Sequence, residues 1–245
     1  MSLLLLLLST TTIFADTVEN NLFREANEAY SRGNYAQAIE KYREITETAG
    51  YSPAVLYNLA NSYASSGKVG LAVVNFERAL RLAPSDSDIV GNLELVKKEN
   101  GLFPKKFSRA EQFFRLLSLN QWTALILMVL IGSIIFLLAA IKYRFSRQLA
   151  IGAGTGCFLL FLLATAGTLL RYQDFNPSVV ISSEVKLFIS PFTSSASIGT
   201  LPEGRLVYPQ KTHGDFSYVT DETDRKGWIQ SSLIEPIVKP GDSGS

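Results

Sequence analysis

WTALILMVLIGSIIFLLAAI, residues 122–141, and LAIGAGTGCFLLFLLATAGTLL, residues 149–170, are separated by only seven residues, KYRFSRQ. Neither stretch holds a charge, and at about 1.5 Å per residue each is long enough as a helix to cross a hydrocarbon core of about 30 Å. The strongly apolar residues of the first stretch favour insertion by about 4 to 7 kcal/mol. A hairpin buried in a soluble core would need a large shell around two helices apolar on every side, and a chain of 245 residues leaves little to build one. The reading is therefore a transmembrane helix at 122–141, a cytoplasmic turn at 142–148 and a second transmembrane helix at 149–170.

Working outward, the charges fit that frame. The net charge is +1, but residues 16–100 hold nine basic and twelve acidic side chains and residues 171–245 hold seven and nine. Basic residues are in surplus beside the apolar stretches: Lys105, Lys106, Arg109 and Arg115 against Glu111 before them, and Lys142, Arg144 and Arg147 in the turn. A membrane is the simpler partner for these charges, and no nucleic acid is implied. Cys157 is the single cysteine and lies inside the second stretch, which excludes an intrachain disulfide and a cysteine-cluster metal site.

Residues 1–15, MSLLLLLLSTTTIFA, read as a signal peptide cut ahead of Asp16. No Lys or Arg precedes the leucines and Ile13 is large for its place, so an uncleaved anchor stays open as the alternative. Either form exports the domain behind it. The turn with its three positive charges then stays in the cytoplasm. This places both soluble parts, 16–121 and 171–245, on the outer side of the membrane.

Before the membrane the chain repeats itself. A spacing of 34 relates Leu22 to Leu56, Ala26 to Ala60, Gly33 to Gly67, Ala38 to Ala72, Tyr42 to Phe76 and Ile45 to Ala79, with Pro84 closing the second unit. Each unit reads as two helices: alanines allow close approach, the glycine turns the chain, and the aromatic residue fills the space between units. In period and residue classes this resembles the tetratricopeptide repeat, with units at 20–52 and 53–85 and a capping helix at 86–100. The resemblance implies a groove for an extended peptide lined by Phe23, Asn27, Tyr30, Tyr57, Asn58 and Asn61, whose carboxamides donate to and accept from a backbone. The plainer alternative makes them ordinary solvated helix residues.

Two further signals flank the hairpin. Ser108 and Glu111 have capping-box spacing within the juxtamembrane segment 102–121, which reads as an interfacial helix, with a plain linker as the alternative. Gly152 and Gly156 form a GxxxG pair suited to close helix pairing, with the first span as the nearest partner and another protein as the alternative.

After the membrane, residues 174–238 switch to short β-rich runs broken at Pro202–Gly204, His213–Asp215 and Asp224–Gly227, followed by a tail at 239–245. Five strands in a small barrel are expected. Pro191, the stretch TSSASIGTLPEG from Thr193 to Gly204 with Gly199 inside it, and Gly227, Trp228 and Ile229 resemble the bacterial SH3-like domain. The tryptophan is read as a core anchor, and Asp221 to Lys226 as a soluble hairpin tip. His213, the sole histidine, sits in a Gly-Asp turn as a solvated loop residue. No nucleophile, phosphate-loop or metal-ligand pattern appears. The reading is of a non-enzyme without cofactor.

The fold class is thus multidomain: an all-α tetratricopeptide-repeat part, a two-helix transmembrane hairpin and a small all-β SH3-like barrel. This order of parts resembles the E component of the Bacteroides aerotolerance (Bat) operon family. The resemblance implies an envelope scaffold acting beside von Willebrand A domain membrane proteins and a MoxR-type ATPase system, in stress tolerance or envelope integrity. The alternative is a tether or sensor that binds peptidoglycan through the SH3-like segment.

Overall fold

The computed structural model describes residues 20–103, 108–173 and 176–238. The signal at 1–15, Lys105 and Lys106, and the tail at 239–245 lie outside them. The described residues form a mixed fold of eight helices, two of them long and apolar, and one curled antiparallel sheet of seven strands. They divide into two units: residues up to 104 together with those from 177 onward, and residues 105–176.

In the first unit the helices are α1 (20–31), α2 (Tyr35–Thr48), α3 (Pro53–Ser65), α4 (Val69–Leu82) and α5 (Ser87–Glu99). Their starts follow from local chemistry. The side chains of Asn34, Ser52 and Asp86 accept backbone N–H groups at the first turns of α2, α3 and α5, and Pro53 stands where its missing N–H costs nothing. Gly33 and Gly67 turn α1 into α2 and α3 into α4 with φ of 77° and 76°, a left-handed conformation that glycine adopts without strain. The residues related by 34 meet in one core: Ala26, Ala38, Tyr42, Leu56, Ala60, Ala72, Phe76 and Ala79 are all buried, with Leu22 packed against them. Pro84 stands exposed in the turn after α4.

The strands are β1 (Ser178–Val180), β2 (Val185–Phe188), β3 (Ser197–Leu201), β4 (Leu206–His213), β5 (Phe216–Asp221), β6 (Lys226–Gln230) and β7 (Ile234–Pro236). Their order across the sheet is β3-β2-β6-β5-β4-β1-β7. Two more strands form than the five expected, because β1 and β7 are three-residue pieces that pair with each other at one edge. Val180, Val185, Leu187, Leu201, Val207, Val219 and Ile229 fill the inside of the curl.

The helices and this sheet share a core. Val179, Leu206 and Ile237 pack among the helical apolar residues rather than with the rest of the sheet. Gly70, inside α4, makes the approach possible: a Cβ there would lie 2.5 Å from the Val180 carbonyl oxygen and 2.7 Å from the Ile181 Cα. Lys68 gives α4 no side-chain cap, and the Gly70 N–H instead donates to Glu203 at 2.8 Å. Leu102 continues beyond α5 into this junction, where it would meet any Cβ added to Gly204.

The second unit contains α6 (Arg109–Phe114), α7 (Leu119–Tyr143) and α8 (Arg147–Gln173). Ser108 with Glu111, and Ser118 with Gln121, form reciprocal capping boxes at the starts of α6 and α7. Both α7 and α8 are long and apolar enough to cross a membrane, and almost no residue in their most apolar stretches is fully buried by the chain itself. Arg144, in the left-handed conformation, ends α7. Near the start of α7, Trp122 is buried over Gly167 of α8 and donates its Nε1–H to the Phe114 carbonyl at 3.0 Å.

Candidate functional site

The six groove residues are distributed over α1 and α3, and five of them are tied into three polar groups. Asn27 Oδ1 accepts from the Tyr42 hydroxyl and from Asn58 Nδ2, the latter at 3.2 Å. One period later Asn92 Nδ2, on α5, donates to Asn61 Oδ1 and to the Tyr57 hydroxyl, both at 2.9 Å. Both amide pairs are 31 residues apart, so the same contact recurs with the helical unit. Tyr30 Oη lies 3.4 Å from the Ser65 hydroxyl. Phe23 is held edge-on by Tyr42, with ring centres 6.0 Å apart, and Tyr57 is held likewise by Phe76 at 6.0 Å.

These four carboxamides are half-buried rather than solvated. Each spends one hydrogen-bonding end on its neighbour, which fixes the direction of the other. The Asn27 and Asn61 amino groups and the Asn58 and Asn92 carbonyls keep further capacity. Alternating donors and acceptors along adjacent helices are what an extended backbone presents in return. Burial pushes the Tyr42 hydroxyl up to about 12, so it stays protonated and donates to Asn27. Sequence reasoning missed Asn92 as a member of this set. Its signal was present, since Asn92 follows Asn58 by the same 34 that separates Asn61 from Asn27.

A second set, not read from the sequence, lies at the junction of helices and sheet. Arg78 of α4 is buried, and its guanidinium donates to Glu235 at 2.8 Å, to the Pro236 carbonyl at 2.8 Å and to the Ile237 carbonyl at 3.0 Å. The Tyr51 ring covers it at 5.8 Å. Arg205 pairs with Glu222 at 3.6 Å and donates to the Phe103 carbonyl at 3.3 Å. Burial raises the Glu222 carboxyl above its ordinary value, against the opposing pull of Lys97 and Arg205.

In the sheet, Ile229 and Gly227 face the core, and a Cβ on Gly227 would collide with Leu187. Strand alternation therefore turns Trp228 to the opposite face, half-buried against Tyr218, and corrects its reading as a core anchor. Pro191 follows β2 half-buried, and Gly199 pairs with Leu187 across β2 and β3. The tip from Asp221 to Lys226 is also corrected at its root. Asp221 is buried and accepts from the Thr223 N–H and hydroxyl and from the Arg225 N–H and guanidinium. Burial alone would push its carboxyl up, but these hydrogen bonds together outweigh burial and hold it below the ordinary value. His213 stands beside Phe192 and Trp228.

In the second unit, Gly152 and Gly156 are exposed, with open space where a Cβ would be. The first span is therefore not their partner. The face of α8 turned to α7 carries Cys157, Phe161, Ala164 and Gly167 instead.

Among the described residues, no group of three or more His, Cys, Asp or Glu side chains is arranged to hold a metal ion. Compared with models of known protein families and with curated proteins, the chain matches none.

Proposed function

We propose that the protein is a membrane-held, non-catalytic scaffold of the cell envelope, whose outer head binds protein partners through a tetratricopeptide-like face of α1, α3 and α5. The supporting observation is the junction. Residues 20–103 and 177–238 flank α7 and α8 in sequence, yet they share one core and the buried Arg78–Glu235 pair. A body built from both flanks has both flanks on one side of a membrane, so the chain between them crosses an even number of times. Two crossings by α7 and α8 meet that condition. The basic turn between them and the leucine-rich start support an outward head on a bacterial inner membrane.

The paired carboxamides support binding of an extended segment, and the curled sheet is read as the SH3-like part. By resemblance to the Bat family, the partners are von Willebrand A domain membrane proteins and a MoxR-type ATPase system. Photocrosslinkers placed at Tyr30 and Glu94, followed by mass spectrometry of the products from intact cells, test the scaffold role. Recovery of the protein alone at native expression overturns it. Reporters fused after Gly101, at Ser146 and after Gly241 test the orientation, with a cytoplasmic signal expected at Ser146 only.

A further inference from the structure

The outer face of the sheet carries a row of side chains that its core does not use. The register sets Phe188 opposite Trp228, Trp228 opposite Tyr218, and Tyr218 opposite Lys211, across β2, β6, β5 and β4. Residues directly opposite one another share a face, and the intervening Leu187, Ile229 and Val219 fill the core on the other side. The Tyr218 and Trp228 rings lie 5.3 Å apart, and Lys211 Nζ sits 4.9 Å from the first ring centre and 5.5 Å from the second. His213 stands 6.3 Å from Trp228 and 6.5 Å from Phe192. Phe192 is 58% exposed, and Ile189 beside it 59%.

The charged side chains that these four strands put on this face are all lysines, while Asp215 stands exposed in the turn between β4 and β5. Lys186 and Lys226 lie two residues from Phe188 and Trp228, so alternation puts them on the same side, and both are exposed. The only carboxylate within these four strands is Asp221, which is buried and spent on its own hairpin. Tryptophan and tyrosine flanked by lysines, with exposed Phe and Ile at the border, match the chemistry of a phospholipid headgroup layer.

Connectivity brings such a layer within reach. Residues 174–177 are all that joins α8 to β1, and four residues span at most about 14 Å. Ser178 lies opposite Val207 and Val179 opposite Leu206, so the chain enters β1 from the side toward which β4 runs, that of Lys211 and His213.

We propose that this face docks on anionic phospholipid of the same bilayer that α7 and α8 cross. Lys186, Lys211 and Lys226 hold the phosphate oxygens, Trp228 and Tyr218 lie at headgroup level, and Phe192 enters the acyl boundary. The inference rests on α7 and α8 spanning a membrane. The short tether keeps the face at a high effective concentration near the lipid, so individually weak contacts suffice.

The test uses the full chain carrying Cys157→Ser and Ser194→Cys, with a fluorophore on the exposed residue beside Phe192. It is reconstituted into nanodiscs of phosphatidylcholine alone or mixed with phosphatidylglycerol, each containing headgroup spin-labelled lipid. Strong quenching is expected in the anionic discs and weak quenching in the neutral ones. Lys186→Glu, Lys211→Glu and Lys226→Glu together should lower the docked-to-free ratio by about 100-fold or more. Added salt should weaken quenching of the unreversed protein, a check that does not depend on the reversed variant folding. Equally weak quenching in both lipids overturns the proposal, as does quenching indifferent to both salt and charge reversal. A label untouched by lipid but shielded from soluble iodide by purified peptidoglycan, or in native membranes, overturns it in favour of a wall polymer or a protein. Alkaline carbonate extraction from native membranes reports separately on spanning: release sinks that reading, whereas a chain that resists extraction yet stays unquenched sinks the docking alone.

Discussion

The guanidinium of Arg78 and the carboxylate of Glu235 meet at 2.8 Å although 157 residues and both long apolar helices separate them in the chain. Arg78 also satisfies the Pro236 and Ile237 carbonyls, so its removal orphans three acceptors at once. Arg78→Met should destabilise the first unit by about 3 kcal/mol, toward the low end for a broken buried pair because water reaches Glu235. Hydrogen exchange at β7 should accelerate, and Glu235→Gln in the same background should add little.

Gly70→Ala tests the approach of β1 to α4. Alanine favours an isolated helix by about 1 kcal/mol over glycine, yet here the new methyl would meet backbone at Val180 and Ile181, which cannot swing aside. The substitution should be net destabilising by about 1 to 3 kcal/mol. Proteolysis within 177–238 should rise while α1 to α3 stay protected.

Asn58→Ala and Asn92→Ala each remove one side of a half-buried amide pair, at a cost of about 1 kcal/mol. Chemical denaturation should register that modest loss. Crosslinked partner, recovered from cells, should fall far more steeply if the amides hold a bound segment.

Asp221 and Glu222 predict opposite responses to pH. The Asp221 carboxyl is held low when folded, so its contribution is present above the ordinary carboxylate value and is lost as pH falls through its lowered one. The Glu222 carboxyl is raised, so stability declines as pH rises from the ordinary value through the raised one. Asp221→Asn should flatten the acid limb of a thermal melting profile and Glu222→Gln the limb above it.

Between α7 and α8, Gly167→Ala should be costly and the GxxxG glycines tolerant. A Cβ at Gly167 would lie 2.5 Å from the Trp122 ring, whereas nothing adjoins Gly152 or Gly156. Circular dichroism melts in detergent should show a loss of about 1 to 3 kcal/mol for Gly167→Ala. Gly152→Leu and Gly156→Leu should stay within about 0.5 kcal/mol.

What could be read in the sequence was what is written locally. The apolar stretches announce themselves by length, and the alanines, glycines and aromatic residues of α1 to α4 by recurrence at 34. The junction is non-local: neither Arg78 nor Glu235 looks unusual until the fold brings them together. One clue was available, since Gly70 stands inside an otherwise good helix, where glycine costs stability unless something passes close by. KGWIQ hid its inward face because both parities of the strand offer an apolar residue, Trp228 on one and Ile229 on the other. The charges after Asp221 read as solvated because the hydrogen bonds that satisfy its buried carboxylate come from the same short loop, from Thr223 and Arg225, and only the folded hairpin turns them onto it.

The junction also fixes an order of manufacture. As the chain is synthesised, α1 to α5 emerge first, then both apolar helices, and only afterwards the strands that complete the helical core. Until the strands arrive, Arg78 has no carbonyls to bind, α4 lacks the Glu203 cap on its first turn, and Val69 and Val73 lack the neighbour that Gly204 brings. The helical part is therefore an unfinished, sticky surface while both apolar helices are being made, and the strands that follow them close it.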